Sequence, residues 1–129
     1  MQLTDGDDVT IIAVGTMVSR ALWAAQQLRS EGIGARVLNM TFIAPLDTEA
    51  VLAAARETRG IITAEEATTT GGLGAAVAAT VAEHHPVPMR LLGVPRQFAP
   101  TGDAAFLLEH FGLTSAGIVE AARGLLRHD

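Results

Sequence analysis

Apolar residues follow two different periods along the chain, and segments of the two kinds alternate. Short apolar runs occupy residues 9–14, 35–38 (preceded by Ile33), 60–64 and 89–94, and each run predicts a strand. The first run is β-branched throughout most of its length and is expected to be buried on both faces. Between the runs, apolar residues recur every three or four positions, which predicts helices with one buried face.

Polar residues and glycines mark the ends of the predicted helices. Thr16 is the expected N-cap of the first helix and Gly32 its stop, and Asp47 is the expected N-cap of a short alanine-rich helix that ends near Glu57. Either Thr114 or Ser115 caps the last helix. The predicted inward faces are Val18, Ala21, Leu22, Ala25 and Leu28 in the first helix, Leu73, Val77, Thr80, Val81 and His84 in the third, Ala104, Leu107, Leu108 and Phe111 after Asp103 in the fourth, and Ile118, Ala121, Ala122 and Leu125 in the last.

This alternation predicts the fold class. Strands that alternate with helices over the whole length imply an α/β three-layer sandwich, with a mostly parallel sheet of four or five strands and helices on both faces. A chain of 129 residues fits one domain, which we expect to span residues 1–129.

One stretch near mid-sequence, residues 63–74, carries most of the candidate chemistry. It is predicted to be a strand end, a polar loop and a glycine-led helix start, a junction that places backbone N–H groups and a partial positive charge at the carboxyl edge of a sheet. The candidate residues for a loop, anion or interface contact are Glu65, Glu66, Gly71, Gly72 and Gly74. This is where a site is expected if the chain has one.

Two interpretations of these residues stay open. The glycines either allow close helix–strand packing or expose N–H groups to an anion. Adjacent strand residues point to opposite faces, so Glu65 and Glu66 are not expected to share one proton as an acid–base pair. The favoured expectation is that a carboxylate here accepts hydrogen bonds from N–H groups of the loop or helix start.

Composition narrows the function classes by exclusion. The chain has no cysteine, its nine basic residues are all arginine, and its net charge is -5, which excludes thiol and Schiff-base chemistry and a P-loop lysine and argues against a nucleic-acid surface. No apolar run approaches the roughly 20 residues of a membrane span, and no secretory signal is visible. A soluble cytoplasmic protein without membrane contact is expected.

The histidines and the single tryptophan suggest no catalytic group. His84, His85, His110 and His128 lie late in helices or at the terminus, where a cationic imidazole is favoured, and we infer no metal site. Trp23 lies off the apolar stripe of the first helix. It is either an isolated surface aromatic or a contact with another subunit or domain.

The order and spacing of several motifs resemble the C-terminal domain of transketolase. They are residues 9–18, residues 31–40 followed by 43–47, residues 64–66 followed by 71–78, and a tail with Gly93-Val94-Pro95, Phe98, Gly102, Leu107-Leu108 and 111–114. The likeness covers nearly the whole chain and is nearest in character to bacterial split transketolases. A similar domain occurs in 1-deoxyxylulose-5-phosphate synthase and in the β subunits of 2-oxoacid dehydrogenases.

The resemblance implies a thiamine diphosphate enzyme that transfers two-carbon ketol units between sugar phosphates, with magnesium holding the cofactor. In that family two other domains bind the cofactor, so no catalytic, cofactor-binding or metal residue is expected in this chain. Asp5-Gly6-Asp7 is not the Gly-Asp-Gly metal motif. The resemblance implies an isolated domain that is inactive, thiamine-binding domains or a subunit as partners, and a homo-oligomer, which we expect to be a dimer.

This chain departs from the split transketolases at three positions. Ala67 replaces the usual histidine after the two glutamates, and a histidine and a lysine are missing around Thr41 and Ala44. These losses leave the substrate of the parent enzyme open, with 1-deoxyxylulose-5-phosphate synthase as the alternative parent. A hypothesis of another class is a small regulatory α/β module that binds an anion or metabolite at the helix start of residues 71–74.

Overall fold

A computed structural model describes residues 1–40, 46–67, 72–94, 109–110 and 112–127. The strands are β1 (Gln2–Thr4), β2 (Val9–Ala13), β3 (Ala35–Asn39), β4 (Ile61–Ala67) and β5 (Met89–Val94), and the helices are α1 (Met17–Ser30), α2 (Thr48–Glu57), α3 (Leu73–His84) and α4 (Ser115–Arg127). The strands form one sheet in the order β1-β3-β2-β4-β5. Strands β2 to β5 pair in parallel and β1 is antiparallel to β3, so the predicted fold class is confirmed.

The sheet separates two apolar layers. One layer joins α1 and α4 to the sheet through residues such as Met17, Leu28 and Ile118, and the other joins α2 and α3 through residues such as Val51 and Val77. All five residues of β2 are buried. This agrees with the prediction that the first apolar run is buried on both faces of the sheet. The helices therefore cover both faces, which completes the three-layer sandwich.

Strand β1 was not predicted, because it has only 3 residues and they are mostly exposed. Its pairing depends on the backbone of β3: the N–H of Asn39 donates to the carbonyl of Met1 at 2.8 Å, and the hydroxyl of Thr4 donates to the carbonyl of Ala35 at 2.8 Å. A contact made by backbone groups leaves no hydrophobic period in the sequence. The fifth strand therefore comes from the N-terminus.

Strand β4 is longer than predicted. It continues three residues past Ala64, because Ala67 pairs with Val94 of β5 after a register shift. Glu65 and Glu66 consequently lie within the strand. Pairing with a neighbouring strand has overridden the polar signal of two adjacent glutamates.

The helix ends follow the sequence with one difference. Asp47 caps α2 by accepting a hydrogen bond from the N–H of Ala50 at 3.2 Å, and Thr114 accepts one from the N–H of Gly117 at 3.0 Å. Thr16 occupies the N-cap position of α1, but its side chain makes no capping bond. Of the predicted helix after Asp103, only Glu109 and His110 belong to the described residues, and both are helical; the rest of it and the loop before it lie outside the described residues.

An ion pair joins α1 to α4 on the surface of the first layer. The guanidinium of Arg123 donates through Nε to the Glu31 carboxylate at 2.9 Å. This hydrogen bond, followed by one from Gln27, lowers the pKa of Glu31, and the Glu31 carboxylate in turn raises the pKa of Arg123.

Glu31→Gln should remove the pH-dependent contribution of this ion pair to the free energy of unfolding. A carboxyl whose pKa is lowered by folding stabilises the protein above its unfolded pKa, and the stabilisation disappears as the pH falls through the folded pKa. The wild type should therefore be slightly more stable than the variant at pH 7 and equal to it in strong acid. Urea unfolding of both proteins from pH 7 to pH 3 measures this, and a difference that stays constant over the range would contradict it.

Candidate functional site

The carboxylate of Glu65 binds the first turn of α3. Glu65 is 6% exposed, and its two oxygens accept hydrogen bonds from the N–H of Leu73 at 3.2 Å and the N–H of Gly74 at 2.8 Å. Gly72 stands at the N-cap position and has no side chain to bind these donors. Glu65 therefore does the work of an N-cap from the neighbouring strand, and its negative charge lies at the positive end of the helix dipole.

Glu66 lies on the opposite side of β4 from Glu65. It is exposed, and its Oε2 accepts a hydrogen bond from the hydroxyl of Thr16 at 2.8 Å. Thr16 has helical backbone angles, φ -64° and ψ -18°, whereas a residue that caps a helix through its side chain is normally extended. The two adjacent carboxylates thus diverge, as their positions in a strand predict, and each binds a different helix start.

Gly74 allows α3 to begin directly against the sheet. A Cβ atom at this position would lie 2.8 Å from Cδ2 of Leu91 and 3.0 Å from Oγ1 of Thr63. These close contacts favour the packing interpretation of the glycines at Gly74. Gly72 is buried, and Gly71 lies outside the described residues.

The hydroxyl of Thr63 is buried beneath this contact. Thr63 is 1% exposed, and within the described part of the chain it is the buried side-chain polar group without a hydrogen-bond partner. Gly74 and Leu91 cover it.

A shallow cavity of about 340 Å³ lies at the carboxyl ends of β2 and β3, lined by Val14, Gly15, Val18 and Asn39. Gly15 has a φ of 63° there, a conformation that glycine adopts without strain. The topological switch point of the sheet lies between β2 and β4, because the chain leaves β2 toward β3 and leaves β4 toward β5. The cavity lies on the other side of β2, between the ends of β2 and β3. Asn39, the last residue of β3, was not among the predicted site residues, and its position directly after the predicted strand 35–38 was the available signal.

The remaining candidates are not brought together with these residues. Trp23 is 66% exposed on α1, and His84, His85 and His110 are exposed, while His128 lies outside the described residues. Among the residues that the structure describes, no three His, Asp or Glu side chains lie where they could hold a metal ion. None of the described helices is long and apolar enough to cross a membrane.

The fold and these contacts define a three-layer α/β domain whose carboxyl-edge glutamates bind the chain's own helix starts. Comparison with known sequences gives the particular family. A family profile described as "Transketolase, C-terminal domain" matches residues 1–118. The chain therefore belongs to the transketolase C-terminal domain family.

Two curated relatives and one solved structure show the range of similar proteins. The chain is 49% identical over 120 residues to a 6-deoxy-6-sulfo-D-fructose transketolase subunit of Clostridium sp. (strain MSTE9), covering 93% of the chain and 37% of that protein. It is 44% identical over 126 residues to 1-deoxy-D-xylulose-5-phosphate synthase 1 of Geobacter sulfurreducens, covering 96% of the chain and 20% of that protein. A split-gene transketolase, solved as an inactive beta4 tetramer, matches with a TM-score of 0.88 and 40% identity over 98% of the chain and 42% of its own.

The chain spans well under half the length of these proteins. The predicted membership in the transketolase C-terminal family is confirmed, and both expected kinds of parent enzyme occur among the relatives.

Proposed function

We propose that this chain is the non-catalytic C-terminal docking domain of a transketolase-like enzyme that depends on thiamine diphosphate. The complete enzyme would transfer two-carbon ketol units between sugar phosphates. The observation that supports a docking role is the use of both edge carboxylates: Glu65 binds the start of α3 and Glu66 binds Thr16 at the start of α1. Glu65 is buried and both of its oxygens accept hydrogen bonds from the chain's own N–H groups, so this carboxylate stabilises the domain.

The residues present do not fit a thiamine diphosphate and magnesium site. A magnesium ion needs several oxygen ligands converging on one point, whereas Glu65 and Glu66 point to opposite sides of β4. Among the residues that the structure describes, the lining of the nearby cavity offers one amide, that of Asn39, and no charged group. We therefore assign no reaction step to this domain and place the cofactor and its magnesium in other domains of the enzyme.

A split transketolase is the parent that we favour. Its support is the 49% identity to a transketolase subunit and the TM-score of 0.88 to a split-gene transketolase, with 1-deoxyxylulose-5-phosphate synthase as the alternative parent. The partners would be the thiamine-binding domains or subunit of the same enzyme and further copies of this chain, since the related split-gene chain is a beta4 tetramer. The enzyme would act in the cytoplasm, where sugar phosphates are made and used.

Cofactor binding by the chain alone tests the docking role. Isothermal titration with thiamine diphosphate in the presence of magnesium chloride should give no saturable heat. The groups that bind the cofactor would belong to other domains, so the isolated folded chain would offer no site that binds thiamine diphosphate. Saturable binding in the micromolar range would show that the cofactor site is here and would overturn the proposal.

The alternative of an anion-binding module depends on free N–H groups at the start of α3. The N–H groups of Leu73 and Gly74 are already bound to Glu65, and an anion would have to displace a buried carboxylate of the same charge. Titration with inorganic phosphate and with sugar phosphates should therefore leave the melting temperature unchanged. A saturable rise in that temperature would favour the regulatory module instead.

A further inference from the structure

The Asp5-Gly6 pair between β1 and β2 is a reactive sequence that the proposed function does not use. It is the only Asp-Gly pair in the chain. The main-chain nitrogen that follows an aspartate can attack the side-chain carboxyl carbon and close a five-membered ring. Glycine has no Cβ atom to hinder that approach and allows the widest choice of backbone angles. Asp5 is therefore the aspartate of this sequence most suited to the reaction.

The structure places the two reacting groups in contact. The N–H of Gly6 donates to Oδ1 of Asp5 at 2.9 Å, and the side chain of Asp5 is 83% exposed, so water also reaches the carboxyl group. The side chain of Asp7 is 91% exposed, but Asp8 follows it. Asp5 and Asp7 thus share one exposed connection and differ in the residue that follows, which makes Asp7 an internal control.

We propose that Asp5 is a site of spontaneous isomerisation to isoaspartate. The nitrogen of Gly6 bonds to Cγ of Asp5, and its proton leaves with the hydroxyl of the protonated carboxyl group as water, which gives a succinimide. Water then adds to one of the two ring carbonyls and breaks the bond from that carbon to the nitrogen. Cleavage at Cγ restores aspartate, whereas cleavage at the main-chain carbonyl leaves the chain linked through Cγ. The reaction needs only water and leaves the mass unchanged.

Isoaspartate would lengthen the main chain by one carbon where the packing is tight. A Cβ atom on Gly6 would lie 2.5 Å from the carbonyl carbon of Gly34 and 2.6 Å from the nitrogen of Ala35. The carbonyl of Gly6 also accepts a hydrogen bond from Nε of Arg36 at 3.3 Å. Arg36 is buried, and its guanidinium lies 2.9 Å from the carboxylate of Glu57. These contacts hold Gly6 in place, so the inserted carbon has to be accommodated on the β1 side.

Strand β1 is the element that should give way. It has 3 residues and lies at the edge of the sheet, beside β3 alone. Its contacts include hydrogen bonds from the N–H of Asn39 to the carbonyl of Met1 at 2.8 Å and from the N–H of Val37 to the hydroxyl of Thr4 at 3.1 Å. Isomerisation at Asp5 should release both N–H groups to water. It would also uncover the edge of β3, which is a template for pairing with another chain.

Ageing of the full chain in neutral buffer at physiological temperature tests the proposal. Isoaspartate is counted by methyl transfer from S-adenosylmethionine with a protein isoaspartate methyltransferase. It is located by peptide mapping with a protease that cleaves before aspartate and not before isoaspartate. The wild type should accumulate isoaspartate at position 5, and hydrogen exchange should show that Asn39 and Val37 lose protection in the modified protein.

Three variants make the result specific. Asp5→Glu keeps the charge but cannot close a five-membered ring, so it should lose nearly all of the signal. Asp7→Glu, the matched change, should leave the signal unchanged. Asp5→Asn is the positive control, because an amide closes the same ring with loss of ammonia. Both native side chains are exposed, so circular dichroism should show that all three variants fold normally.

Two results would overturn the site. One is a wild type with no more isoaspartate than Asp5→Glu while Asp5→Asn reacts; the other is as much isoaspartate at position 7 as at position 5. Modified protein in which Asn39 exchanges as slowly as before would overturn the release of β1. The experiment uses no cofactor, substrate or partner subunit, so its outcome is independent of the proposed function.

Discussion

Glu65→Ala should lower the free energy of unfolding by about 3 kcal/mol. The change removes two hydrogen bonds to a buried carboxylate, at 3.2 and 2.8 Å, and leaves the N–H groups of Leu73 and Gly74 without partners at the start of α3. Hydrogen bonds to a charged group contribute about 1.5 to 3 kcal/mol each, and part of this loss will be recovered by water. Urea unfolding followed by circular dichroism measures the change.

Glu66→Ala is the matched control, because it removes the adjacent carboxylate from the same strand. Its single hydrogen bond to Thr16 is exposed, so we expect a loss below about 1 kcal/mol. Glu65→Gln should fall between the two, since an amide keeps one acceptor but no charge. Equal losses for Glu65→Ala and Glu66→Ala would show that Glu65 does not cap α3.

Gly117→Ala should destabilise the chain by about 2 kcal/mol, although alanine normally favours a helix. A Cβ atom at Gly117 would lie 2.6 Å from the carbonyl carbon of Gly112 and closer still to its oxygen. The clash is with backbone, which cannot move aside like a flexible side chain, and overpacking of this kind costs about 1 to 3 kcal/mol.

Gly124→Ala in the same helix provides the control of opposite sign. A Cβ atom there would meet only the guanidinium of Arg127, at an ordinary distance of 3.7 Å. Gly124→Ala should therefore stabilise the chain by about 0.5 to 1 kcal/mol through helix propensity. Thermal unfolding of both variants compares them directly, and a stabilised Gly117→Ala would mean that α4 is not packed on Gly112 as described.

The regular elements could be predicted because their local signals agree with their packing. The strand at Val9–Ala13 and the helices α1, α2 and α4 combine a clear apolar period with capping or stop residues such as Asp47 and Gly32. Gly32 has a φ of 82°, which explains why a glycine ends α1. Where local pattern and tertiary contacts favour the same structure, the sequence is sufficient.

The strand β1, which was not predicted, and the end of β4, which was predicted too early, both depend on pairing with a neighbouring strand. Strand β1 exists because β3 offers its backbone, and β4 extends to Ala67 because β5 pairs with it. Neither contact produces a hydrophobic period in the paired segment itself. The sequence of one segment therefore does not show which distant strand that segment pairs with.

The candidate site was predictable in kind but not in its partners. Adjacent glutamates in a strand must diverge, so the sequence could exclude a shared proton and predict a carboxylate bound to N–H groups. It could not show that Glu65 binds α3 while Glu66 binds Thr16, since the latter contact joins residues 50 positions apart.

The central claim is that this chain is a transketolase C-terminal domain that performs no chemistry by itself. Ketol transfer from a ketose phosphate to an aldose phosphate tests it most directly, with thiamine diphosphate and magnesium in excess. The measurement compares the chain alone, the thiamine-binding part of the same enzyme alone, and the two mixed. The account predicts no turnover by the chain alone and turnover by the mixture, whereas turnover by the chain alone would contradict it.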